Sequence, residues 1–124
     1  MAQTPHLPHQ VPIDAYGNGG FRFAGMSHRG SLISVPSGIW AWPVGSAADI
    51  DASALAPILA EAARIRLLLI GTGKTPWGLP EALRWRLRDH GTVVEVMSTG
   101  PAVRTYNIVL AEGRPVAAAL IAVQ

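Results

Sequence analysis

Cysteine is absent from the 124-residue chain, which excludes a disulfide framework, a thiolate zinc site, an iron–sulfur site and a thiol nucleophile together. Charge is sparse as well. Asp, Glu, Lys and Arg make up only 15% of the residues, against a usual share of about 25%. Lysine occurs once, at Lys74, and the other cations are arginines. The net charge of +2 is too small for the concentrated cationic face of a nucleic-acid binder, so no nucleic-acid partner is expected. The longest apolar run, Val116 to Val123, falls well short of the roughly 18 residues of a spanning helix. The opening MAQTPHLPHQVP lacks the pattern of a signal or transit peptide. No transmembrane segment is expected, and the cytoplasm is the expected location.

A chain of this length supports one domain with a core of its own. Pro5, Pro8 and Pro12 interrupt an aperiodic start, so residues 1–10 read as a flexible arm and 11–124 as a single α/β domain. Ile13 to Tyr16, the turn Gly17-Asn18-Gly19-Gly20 and the alternating Phe21-Arg22-Phe23 form a hairpin signal. Met26, His28, Ser31 to Val35 and Gly38 to Trp42 read as two further short strands separated by the turn Pro36-Ser37. After Pro43 alanine and leucine dominate, and Ser53 to Ala63 reads as a helix, with Pro57 tolerable only in its first turn. Leu67 to Ile70, ending at Gly71, is apolar on both faces and reads as a buried strand. Pro80-Glu81 opens a helix with Leu79, Leu83 and Leu87 four residues apart, and His90-Gly91 closes it. Val93 to Val96 reads as another buried strand, Pro101 to Ala111 as a helix, and Val116 to Val123 as a last strand. The alternation predicts a three-layer α/β domain: a central mixed, mostly parallel sheet, helices packed on it and an N-terminal β-hairpin layer.

No motif completes a catalytic site. Gly73-Lys74-Thr75 resembles the end of a phosphate loop, but Leu68 stands where the first glycine belongs and Pro76 delays the helix. Gly71 and Gly73 begin a dinucleotide fingerprint that Pro76 interrupts. The carboxylates are scattered, so neither a metal site nor a two-carboxylate mechanism is expected. What survives is geometric, because loops that follow adjacent parallel strands emerge on one sheet edge and frame a crevice. Gly71 to Trp77 and Met97 to Pro101 qualify. They offer Thr72, Lys74, Trp77, Ser98 and Thr99, with Glu95, Tyr106 and Asn107 as polar candidates nearby. Glu95 interrupts an apolar strand and so faces an edge, accepts hydrogen bonds or belongs to a site. A Tyr106 hydroxyl or Asn107 amide buried in the last helix needs a partner, expected in the neighbouring loops or at Glu95. The tryptophans read mainly as core.

Three stretches, Gly17 to Ser31 (GNGGFRFAGMSHRGS), Leu69 to Gly78 (LIGTGKTPWG) and Val94 to Leu120 (VEVMSTGPAVRTYNIVLAEGRPVAAAL), resemble one known family. It is the small α/β family that includes the mitochondrial complex I assembly factor 3 and the adipogenesis-associated domain protein, and the resemblance runs from about Val11 to Val123. It implies a three-layer fold around a mixed sheet, no established enzyme activity and no cofactor. The mitochondrial member is a chaperone-like factor bound to another assembly factor. The lack of a transit-peptide pattern and the alanine- and arginine-rich composition suggest a bacterial cytoplasmic relative, and the resemblance implies that it binds a protein, such as a respiratory-complex subunit or another assembly factor. Low charge leaves apolar surface for such a partner or for a second copy. The competing expectation is a small-molecule or anion-binding protein, or an enzyme, that uses the crevice.

Overall fold

The computed structural model describes residues 6–124. Two sheets form. The smaller is an antiparallel meander of β1 (Ala15–Gly17), β2 (Gly20–Phe23) and β3 (Met26–Arg29). Its first turn is a two-residue hairpin loop in which Asn18 and Gly19 both take positive φ, 52° and 80°. That turn matches the twist of the flanking strands and favours Asn-Gly. Gly20 is obligatory for another reason: a Cβ there would lie 2.1 Å from the His28 carbonyl oxygen.

The central sheet has the order β5-β4-β8-β6-β7, built from β4 (Leu32–Val35), β5 (Gly38–Ala41), β6 (Leu67–Gly71), β7 (Val93–Met97) and β8 (Val116–Leu120). It is mixed: β8, β6 and β7 run parallel, while β4 is antiparallel to both β5 and β8. Strand alternation divides the core in two. One layer packs Ile33, Val35, Leu68, Ile70, Ala117 and Ala119 against Leu55 and Ile58 of the α1 (Ala56–Leu59) region and against Leu83 and Leu87 of α2 (Glu81–Asp89). The other packs Leu32, Leu69, Val116, Ala118 and Leu120 against α3 (Thr99–Ala111) and the meander residues Phe21 and Phe23. The three alanines at the centre of β8 let both layers approach a strand that is buried throughout.

The helix expected over Ser53 to Ala63 is not continuous. It breaks into a first turn held by the Asp51 carboxylate accepting from the Ala54 N–H (2.8 Å), the single turn α1 and a 3-10 turn over Ala62–Arg64. Glu61 is diverted from helix packing by its bonds to the Ser37 N–H (2.9 Å) and hydroxyl (2.6 Å) and to Arg64 (2.9 Å). The last strand ends at Leu120 rather than Val123. Of the arm expected over 1–10, residues 1–5 lie outside the described residues. Leu7 forms a bridge to Ile39 on the outer edge of β5 and packs on the meander-side core, and His6 donates to the Ile39 carbonyl (2.7 Å). The His6 ring rests 4.6 Å from that of His28, and burial followed by this neighbour lowers its pKa.

Candidate functional site

At the C-terminal edge of the parallel strands, the loops after β6 and β7 meet as expected. The Thr72 N–H donates to the Met97 carbonyl (2.9 Å), and the Thr72 hydroxyl reaches the carbonyls of Thr75 (2.6 Å) and Met97 (3.2 Å). Thr99, fully buried, ties three chain segments together. Its hydroxyl accepts from the Gly73 N–H (2.9 Å) and donates to the Ile121 carbonyl (2.7 Å), while its N–H donates to the Gly73 carbonyl (2.8 Å). Ser98 is the N-cap of α3 without a side-chain capping bond. Lys74 and Trp77 are exposed. The polar groups of Thr72 and Thr99 are thus engaged in joining the loops. Packing at this junction is close: a Cβ on Gly71 would stand 2.9 Å from the Thr99 Cα. Because backbone would have to yield, Gly71→Ala is expected to cost about 2 kcal/mol, within the usual range for overpacking, read as a shift in the urea midpoint.

Tyr106 and Asn107 bond elsewhere, and neither is bonded to Glu95. The Tyr106 hydroxyl is shared with the Ser34 hydroxyl (2.7 Å) and donates to the Val11 carbonyl (2.8 Å). The Asn107 side chain accepts from the Ile13 N–H and donates to the Ile13 carbonyl, each at 2.8 Å. Both residues fasten residues 11–13 across α3. Burial, partly offset by the Ser34 bond, raises the Tyr106 pKa to about 12. Glu95 is exposed because β7 is an edge strand, not the buried strand expected.

A second surface lies at that edge. The Val93 N–H bonds to Arg66 and the Met97 carbonyl to Thr72, on the β6 side. Parallel-strand alternation therefore turns the N–H and C=O groups of Val94 and Val96 outward. One of these outward groups, the Val94 carbonyl, accepts from Arg84 of α2 (3.0 Å). Arg84, Arg88, Thr92, Val93 and Val94 line a recess of about 160 Å³ between α2 and β7. Beside it Trp85 is 55% exposed, with the Arg88 guanidinium 5.3 Å from the ring centroid, and Val93 is 61% exposed. Of the tryptophans expected mainly in the core, Trp42 is buried, whereas Trp77 and Trp85 are exposed. The signal was present: Leu83 and Leu87 fix the buried face of α2, and position 85 is turned by about 200° from position 83.

Residues 13–121 match a family described as a protein of unknown function (DUF498/DUF598). The chain belongs to this family. A crystal structure of an outer membrane protein from Bartonella henselae is 50% identical, with a TM-score of 0.92 over 96% of this chain and 100% of that one. An uncharacterized protein of Rhodobacter capsulatus is 39% identical over 96% of this chain and 90% of its own length. The mouse NADH dehydrogenase [ubiquinone] 1 alpha subcomplex assembly factor 3 is 33% identical over 93% of this chain, which spans 62% of that factor. The family resemblance read from the sequence stands. The cytoplasmic location does not: the Bartonella relative, an outer membrane protein, overturns that expectation. Among the described residues no helix is long and apolar enough to cross a membrane.

Proposed function

We propose that the chain is a non-enzymatic protein-binding module of the assembly-factor kind and that its docking surface is the edge formed by α2 and β7. The observation that carries this reading is the exposed Trp85–Arg88 pair beside the recess and the exposed Val93. Tryptophan and arginine dominate binding hot spots, and a large exposed aromatic next to an apolar strand edge gains most when a partner removes it from water. The outward N–H and C=O groups of β7 add hydrogen-bonding capacity along the same edge. The likeness to the mouse assembly factor supports a protein subunit as partner. By that likeness the partner is a respiratory-complex subunit or another assembly factor.

Capture from a native lysate, with the tagged full chain as bait and its Trp85→Ala variant as control, tests the reading. The expected result is a stoichiometric protein partner retained by the chain and lost by the variant. Recovery of the same proteins by both baits, or of none, defeats it.

A further inference from the structure

The outer face of the β1–β3 meander is independent of the α2/β7 edge. In β2 and β3 the inward residues are Phe21, Phe23, Met26 and His28, which leaves Arg22, Ser27 and Arg29 on the outer face with Gly20. The register pairs Arg22 with Ser27 and Gly20 with Arg29. Arg22 and Arg29 are therefore diagonal neighbours, a relation that places Cα atoms about 7–8 Å apart and lets two long side chains converge. Ser27 stands directly opposite Arg22 and two residues before Arg29 on the same face.

The residues beside the arginines are small. Gly20 gives Arg29 no side chain to pack on, and Gly17 pairs with Gly20 in the adjoining strand. Gly17, Asn18, Gly20, Phe21, Arg22, Ser27, His28 and Arg29 line an open groove of about 420 Å³.

Charge completes the case. The two ion pairs among the described residues, Arg64–Glu61 and Arg114–Glu112, lie elsewhere. Asp14 lines the recess on the other side of Arg22 and forms no ion pair with it. Two guanidinium groups thus share one face with no ion-pair partner among the described residues, an arrangement that is unfavourable when empty and reverses sign around a dianion. Guanidinium forks and a serine hydroxyl present the N–H and O–H donors that phosphate oxygens accept.

The geometry points to an oxyanion site on this face, in which Arg22 and Arg29 hold the phosphate group of an organic phosphate and Ser27 donates a further hydrogen bond. The volume of the open groove leaves room for the rest of the molecule beside the two arginines.

The experiment titrates the full chain with inorganic phosphate at low salt, following arginine side-chain N–H resonances, in wild type and in Arg22→Gln, Arg29→Gln and Ser27→Ala. A saturable response is expected below about 10 mM, weakened at least about tenfold in each arginine variant and less in Ser27→Ala. All three positions are exposed, so melting temperatures should stay at the wild-type value and separate loss of binding from loss of fold. Co-sedimentation with phosphatidic acid vesicles distinguishes the source. Sedimentation that is reversed by free phosphate and lost in the arginine variants identifies a lipid headgroup. Phosphate binding without sedimentation identifies a soluble phosphate ester. No response to phosphate, or a response to phosphate or vesicles equal in wild type and both arginine variants, overturns the site.

Discussion

Tyr106→Ala is expected to destabilise the protein by about 4 kcal/mol, the usual cost of deleting a large buried aromatic side chain. Its ring is 0% exposed and packs in the layer between the central sheet, α3 and the meander. Tyr106→Phe keeps that packing and isolates the hydroxyl. Ser34 retains a bond from Gln10 (3.2 Å), but the Val11 carbonyl loses the tyrosine donor, so about 1–2 kcal/mol is expected. Equilibrium urea unfolding measures both, and a Phe variant as stable as wild type would remove the hydrogen bonds from the account. Alkali gives an independent reading. The raised pKa means that the folded protein keeps Tyr106 protonated when the unfolded chain ionises near its ordinary value of 10.0. The stabilisation is fully present below pH 10.0 and is lost as pH rises from there towards about 12. Tyr106→Phe should abolish that part of the alkaline destabilisation.

The sequence makes the need of Tyr106 for a partner legible, but not the partner. Residue spacing places the ring with Ala102 and Val109 on the sheet side of a helix, and the three are buried there. The groups that answer Tyr106 and Asn107, at Val11 and Ile13, lie 95 and 94 residues away in the chain, where no local pattern reaches. The order of β6, α2, β7, α3 and β8 follows from apolar runs punctuated by Gly and Pro, because such runs are long enough to specify a strand or a helix. Edge and centre are harder to tell apart. Leu67 to Ile70 and Val93 to Val96 are both rich in branched apolar residues, yet the first is central and the second is at the edge. Glu95 marks the difference, since a charge tolerated in a strand is one that reaches water. Ser53 to Ala63 misleads for the opposite reason. Its composition favours helix, but the Glu61 carboxylate is committed to the Ser37 turn, a contact 24 residues distant.

Trp85→Ala should weaken binding of the captured partner by at least about 2 kcal/mol, or roughly thirty-fold in Kd, while leaving the melting temperature near that of wild type. The two halves of this expectation have separate causes. In the free protein the indole is 55% exposed and lies outside both core clusters, so its removal creates no cavity and costs the fold little. In the proposed complex a partner would desolvate the same indole, and its deletion would leave a hole at the interface. Its guanidinium neighbour amplifies the loss, because Arg88 stacked at 5.3 Å is held in place by the ring and becomes mobile without it. Trp85→Phe, which keeps a ring for Arg88, should recover part of the affinity. Val93→Asp places a carboxylate on the exposed strand edge, and it should impair binding where a partner covers that edge with apolar atoms. Calorimetric titration of the purified partner into each variant reads all three effects. Full affinity in both Trp85→Ala and Val93→Asp would move the interface away from α2 and β7, because a surface whose largest exposed aromatic and apolar edge are both dispensable is not covered in the complex.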